Sequence, residues 1–359
     1  MDRTIDRRTM LQLGGAATVA AIAGCSSGSD DGDSGGSGST GYEQYLAVRN
    51  NQVSFAYADF QALQEFNTGD SGGGGSQGDL GLDEPMLAPV GGLLLIGFAA
   101  GFQLGALGLS GLIQTESGSE LSSQGNQILL SNGALVVVGD MDTDEIDSQL
   151  TSESEGSFAT QYEQTDESNG YTFYEPANSD SGMTTSSGVA AVSGTELLVA
   201  ESRELVDAVI SAVGGDGRAV DEFDEFRWLL DNGGDGLVAL GGYGPDGFSG
   251  FGGQSGGSGG QNDGSGGQND GSGGSSETEL SFVQNSGGFV GSISFDGEQV
   301  TSVIAASSDG IAETDQGQIE SEFQSDRTDV SVDFQGDNRL VAEATYSRDV
   351  LEGSSGSDA

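Results

Sequence analysis

Histidine and lysine are both missing from this 359-residue chain, cysteine occurs once, and proline four times. Without an imidazole there is no Ser-His-Asp triad, no His-ligated zinc and no histidine acid or base. Without lysine there is no Schiff base, no Ser-x-x-Lys nucleophile and no P-loop lysine. One cysteine, Cys25, permits no disulfide within the chain, so stability has to come from core packing. Positive charge is equally scarce. Ten arginines face 57 acidic residues, for a formal charge of −47. That balance excludes a basic patch for nucleic acid or anionic headgroups.

What remains is carboxylate chemistry, either an Asp/Glu pair or carboxylates holding Mg²⁺ or Ca²⁺. In so acidic a chain, neighbouring carboxylates arise by chance. Asp142, Asp144 and Glu153 sit at positions 1, 3 and 12 of a calcium-loop template. However, Ile146 and Asp147 occupy the places that need an oxygen ligand and a glycine. Phosphate loops carry no weight among 64 glycines. The sequence therefore assigns no catalytic, cofactor-binding or metal residue, and no cofactor is expected.

The N-terminus is more specific. Arg7-Arg8-Thr9-Met10-Leu11 opens an uncharged stretch that closes on Ile22-Ala23-Gly24-Cys25. A basic start, an apolar middle and a small-residue cleavage site are the parts of a secretory signal. The paired arginines resemble a twin-arginine export signal, and Ile-Ala-Gly-Cys resembles a lipobox, at which Cys is lipidated and the chain cut before it. The resemblance implies residues 1–24 as signal peptide, Arg7 and Arg8 as the export signal, and Cys25 as the lipid attachment site. The expected partner is the membrane, through the lipid on Cys25; a protein partner is not specified. The expected location is the outer face of the cell membrane. Removing 1–24 takes away three arginines, Asp2 and Asp6, which leaves 7 arginines against 55 acids, or −48.

At molar salt the Debye length falls to about 3 Å and most of that self-repulsion is screened. The composition resembles that of extreme halophiles, haloarchaea in particular. A charge of this kind is a solvent adaptation before it is a binding surface.

Residues 25–41 read as an acidic tether, and 42–243 as an α+β domain of mainly antiparallel strands with a few packed helices. A Gly/Ser/Gln/Asn/Asp linker follows at 244–278, then a small β-rich unit at 279–351 and a polar tail at 352–359. Within the linker, Gly-Gly-Gln-Asn-Asp-Gly-Ser occurs twice, at 259–265 and 266–272. Calcium-binding β-roll repeats have nine residues and an apolar side chain in each, and these have neither.

Alternation predicts strands at Val53–Tyr57, 127–140, Phe158–Tyr162, Tyr171–Tyr174, Val189–Val192, Leu197–Ala200, Gly236–Tyr243, Leu280–Phe282, Phe289–Phe295 and Val300–Ala305. Val330, Val332 and Phe334 are expected to pair with Leu340, Ala342 and Ala344. Helices are expected at Phe60–Phe66, after Asp142, after a Ser202 cap, over Phe223–Leu230, and loosely around Ile311–Phe323.

From Pro85 to Thr115 no side chain is ionisable, and Gly97, Gly101 and Gly105 make a stripe on a helix. By length Leu87–Ile113 qualifies as a membrane span with small-xxx-small spacing. Pro89, Gln103 and seven glycines favour a buried hairpin, or a helix followed by a strand, within the core, with the stripe serving close approach by another element of the same domain.

Between Leu135 and Tyr243, Gly170-Tyr171 with Tyr174-Glu175-Pro176 precedes the Val189–Ala200 hairpin and a helix. That order resembles a group of uncharacterised extracytoplasmic proteins of bacteria and archaea, and it implies neither an activity nor site residues. Three functions compete. The first is a lipid-anchored, non-enzymatic surface protein with a binding or envelope role. The second is a carboxylate-dependent extracellular hydrolase, and the third a solute-binding lipoprotein. The third lacks the regular strand–helix alternation of two lobes.

Overall fold

Strand alternation decides the architecture. The computed structural model describes residues 41–67, 85–113, 121–152, 160–177, 188–245, 287–297, 299–313, 316–324 and 328–347. A 3₁₀ turn at Tyr42–Tyr45 precedes β1 (Val53–Asp59) and α1 (Phe60–Asn67). A second such turn, Pro85–Leu87, opens α2 (Ala88–Ala106), and a third, Ser110–Ile113, follows it. Next come β2 (Gln124–Ser131), β3 (Ala134–Asp140), α3 (Thr143–Thr151), β4 (Tyr162–Ser168) and β5 (Tyr171–Pro176). The hairpin β6 (Val189–Val192) and β7 (Glu196–Ala200) leads to α4 (Arg203–Val213), α5 (Ala219–Glu222), α6 (Asp224–Gly233) and β8 (Val238–Tyr243). The chain then runs through β9 (Gly287–Asp296), β10 (Gln299–Ser308), α7 (Asp309–Glu313), α8 (Gln316–Phe323), β11 (Val330–Phe334) and β12 (Arg339–Ser347).

All twelve strands join one antiparallel sheet in the order β11-β12-β10-β9-β8-β1-β2-β3-β7-β6-β5-β4. The fold is α+β. Within the β-rich stretch 279–351, β9 to β12 continue the sheet that holds β1 to β8. β9 pairs along β8 with Val238 opposite Ile293 and Tyr243 opposite Gly288. Leu237 also donates its N–H to the Ile293 carbonyl at 2.9 Å.

Because side chains alternate across a strand, the sheet serves two cores. Val53, Phe55 and Tyr57 of β1 point to one face, with Tyr42, Val206, Val209, Phe226 and Leu229. Ala56 and Ala58 point to the other, with Ile96, Ala100 and Leu104 of α2, Ile146 of α3 and Phe323 of α8. Helices thus cover both faces, which is why the inner strands are apolar on successive residues. The two edges differ. β4 exposes Glu163 through Glu167 in an unbroken run, whereas β11 alternates half-buried and exposed residues.

Local signals explain the element ends. Asp142 caps α3, its carboxylate accepting from the N–H groups of Asp144 and Glu145 at 3.1 Å each. Asn132 and Gly133, both at positive φ, turn β2 into β3. The β11–β12 register has Val330 opposite Ala344, Val332 opposite Ala342 and Phe334 opposite Leu340, as the alternation requires. Ser202 does precede α4, but its side chain makes no capping hydrogen bond. Tyr162 of the strand expected at Phe158–Tyr162 opens β4, whereas Phe158, Ala159 and Leu280–Phe282 lie outside the described residues.

Candidate functional site

The apolar stretch becomes a single 19-residue helix, α2, laid across β9, β8, β1 and β2. Pro89 sits in its first turn, where a missing N–H costs nothing. Gly108 follows its end at φ +73. The inner side carries Ile96, Ala100 and Leu104, all fully buried. Gly92 belongs to this side too: a Cβ there would lie 2.8 Å from Leu240 Cδ2, so glycine sets how closely the helix meets β8. Ser302 of β10 donates its hydroxyl to the Met86 carbonyl and fixes the turn before the helix.

The outer side contradicts the expectation of full burial. Gly97, Gly101 and Gly105 are exposed, and a Cβ at any of them would meet nothing within 4 Å. Among the described residues, no element packs against them. Beside them stand Phe98 and Phe102, 77% and 57% exposed, the two exposed large hydrophobic residues among those described. The helix is apolar all round, and among the described residues nothing packs on its Gly97/Gly101/Gly105 side, a pattern that signals a further contact. No helix among the described residues is long and apolar enough to cross a membrane.

Polar clusters elsewhere are built as joints. Glu196 accepts the hydroxyls of Tyr45 at 2.9 Å, Tyr171 at 2.7 Å and Ser193 at 2.9 Å, tying β7 to β5 and to the first turn. Burial, and then the Glu196 charge, push both phenols above their ordinary range, so they stay protonated donors and not bases. Glu225 of α6 accepts from Arg339 Nε at 2.8 Å, from its Nη2 and from Ser307, joining α6 to β12 and β10. The Arg339 hydrogen bond holds the Glu225 carboxyl below its usual range. Arg339 also lies 4.8 Å above the Trp228 ring. Glu145 accepts the Ser122 N–H at 2.7 Å and the Ser123 N–H and hydroxyl at 2.8 and 2.7 Å. Against the cost of desolvation, these bonds bring its carboxyl down to about 2.

One group of acids repels itself. Burial, then Asp231 and Asp235, raise the Glu43 carboxyl; burial and Asp231 raise Asp235. These acids gather at the C-terminal end of α6, where the helix dipole already disfavours negative charge. Stability from Glu43 and Asp235 is greatest below the ordinary carboxylate range and is lost as pH rises through their raised folded values. At neutral pH the group is a net cost. Both raised carboxyls are partly open to solvent, which keeps the effect small. Asp231→Asn, which removes an i,i+4 like-charge neighbour, should stabilise by about 0.2–0.5 kcal/mol. Denaturant titration should find the gain larger at 1 M salt than at 4 M, and no gain at either would mean the charges are not felt.

Among the described residues, no group of three or more His, Cys, Asp or Glu is placed to hold a metal ion. Asp142 caps α3, which runs helical from Thr143 to Thr151. Arg7, Arg8 and Cys25 lie outside the described residues. The outer face of α2 is what sequence reasoning missed. Its signal was present: phenylalanines at 98 and 102 lie four apart, and neither shares the Ile96/Ala100/Leu104 stripe.

Neither a family model nor a curated protein matches the chain. Two solved structures, crystal forms III and I of TP0453, are similar to it at TM-scores of 0.39 and 0.38 and identities of 10% and 11%. They cover 86% and 88% of this chain and 94% and 96% of their own. A likeness of that degree carries no argument about activity.

Proposed function

We propose that this chain is a lipid-anchored extracytoplasmic protein of a concentrated-salt environment, with a binding or envelope role and no catalysis of its own. The observation that carries the reading is the order Arg7-Arg8, uncharged stretch, Ile22-Ala23-Gly24-Cys25. Each part has a physical task. The arginines keep the start of the signal on the inner side, the apolar middle enters the export machinery, and the small residues admit the processing enzyme to the bond before Cys25. Three of the described carboxylates have a structural use. Glu145, Glu196 and Glu225 are each committed to hydroxyls, backbone N–H groups or an arginine that hold elements together.

The test is the N-terminus itself. Intact-mass measurement on protein extracted from its native membrane should show a chain beginning at Cys25 with a lipid adduct. Cys25→Ser should release the domain to the medium or block its processing. An unmodified chain starting at Met1 would sink the reading.

A further inference from the structure

Phe98 and Phe102 stand out from α2 by their full length because Gly97, Gly101 and Gly105 beside them carry no side chains. This ridge belongs to a stretch, Pro85–Thr115, without one ionisable residue, in a chain of 57 acids. We propose that the outer face of α2 rests on the lipid bilayer that holds the Cys25 anchor, as a second, reversible contact that turns the sheet face-down on the membrane. The proposal rests on the anchor reading for which bilayer is met, and on the geometry of α2 for the contact.

The length of chain before the fold allows it. Sixteen residues separate Cys25 from Tyr42. Whatever their conformation, they span at most about 55 Å. The described chain enters at Tyr42 on the side of the sheet opposite α2, beside β1, the sixth strand of twelve. Reaching round half the sheet means about 30 Å at 4.8 Å per strand, plus the thickness of one layer, about 10 Å. The tether is long enough to let α2 face the bilayer, and short enough to keep it close.

Chemistry selects lipid as the occupant. Only an uncharged surface enters the acyl boundary without burying an ion, and α2 supplies the uncharged surface next to exposed aromatics. Its backbone is hydrogen-bonded within the helix, so bare glycines leave no polar group unsatisfied in lipid. At molar salt the Debye length is about 3 Å, so the surrounding acids do not hold the domain off anionic headgroups. A second copy of the chain is a poorer occupant. One side of a 19-residue helix, about 28 Å long, gives less contact than the roughly 1,200–2,000 Å² of a stable pair.

The experiment uses residues 25–359 with Cys25→Ser, so that no lipid is attached, and phosphatidylcholine vesicles in 3 M KCl. The protein should float with the vesicles, and Phe98→Ser/Phe102→Ser should lower the bound fraction at least tenfold at an unchanged melting temperature. Phe102→Trp should be quenched by brominated phosphatidylcholine beyond any quenching of the native Trp228, which keeps the test valid if the serine pair fails to fold. Absence of flotation overturns the proposal, as does equal flotation of the serine pair or an unquenched Trp at 102. A dimer in sedimentation velocity that the serine pair dissociates, without vesicle binding, would assign the face to a second copy. Since the protein used carries no lipid, these outcomes are independent of the mass measurement that tests the anchor.

Discussion

On transfer from molar salt to about 0.1 M, the protein is expected to lose its near-UV circular dichroism and its cooperative unfolding transition. The Debye length rises from about 3 Å to about 10 Å over that range, so each carboxylate begins to feel several neighbours instead of none. Stability of ~5–15 kcal/mol is what this repulsion has to overcome. The described ion pairs offer little in return. Arg49–Glu201, Arg203–Asp207 and Arg227–Asp224 are all solvent-facing, and such pairs contribute roughly 0–1 kcal/mol each. Repulsion is concentrated where acids gather in space, as around Glu43, Asp231 and Asp235. A sharp thermal transition retained in dilute buffer would contradict the halophile reading.

Ending the chain at residue 278 is expected to abolish folding at any salt. The cut removes β9, β10, β11 and β12 and leaves β8 without its neighbour. Phe289, Val290 and Ile293 are each buried, and each buried side chain of that size contributes about 1.5–3 kcal/mol. Their partners stay behind with nothing to pack on. Gly233 in α6 is fitted against the Val290 carbonyl, 2.4 Å from where a Cβ would sit, and Gly241 against that of Phe289 at 2.6 Å. Glu225 would lose Arg339 and Ser307 together. The fragment should bind hydrophobic dye and show no sharp transition. A monomeric 42–278 fragment that melts cooperatively would mean that residues 279–351 fold independently of the rest.

The sequence readings succeeded where the governing contact is local or its pattern rigid. Val330, Val332 and Phe334 against Leu340, Ala342 and Ala344 were legible because a period of two and one tight turn leave a single register. The helix after Asp142 was legible because acids gather in its first turn, at the positive end of the dipole. Pairing of β1 with β8 was not, because nothing near Val53 encodes a partner at Tyr243. Whether the strands on the two sides of 244–278 share a sheet was not legible either, because a glycine-rich composition carries no pairing information. The glycine stripe of α2 was read as an inward feature, since glycine in a helix is costly unless it permits close approach. Gly92 obeys that logic against Leu240, whereas Gly97, Gly101 and Gly105 do not. Arg7, Arg8 and Cys25 lie outside the described residues, and their reading rests on their order in the sequence.

The position of β1 also sets a timetable. Its two neighbours in the sheet are β2, next but two in the chain, and β8, which is made only after five further strands and four further helices. During synthesis the first strand therefore waits with one side unpaired until Tyr243 has emerged, and the last four strands can dock only after that. Assembly from such distant pieces is slow, because loop closure precedes the contacts that reward it. A chain of this topology that crossed a membrane as it was made would deliver β1 long before β8. A route that moves the finished fold, such as the one Arg7 and Arg8 resemble, separates the time needed to fold from the time needed to cross.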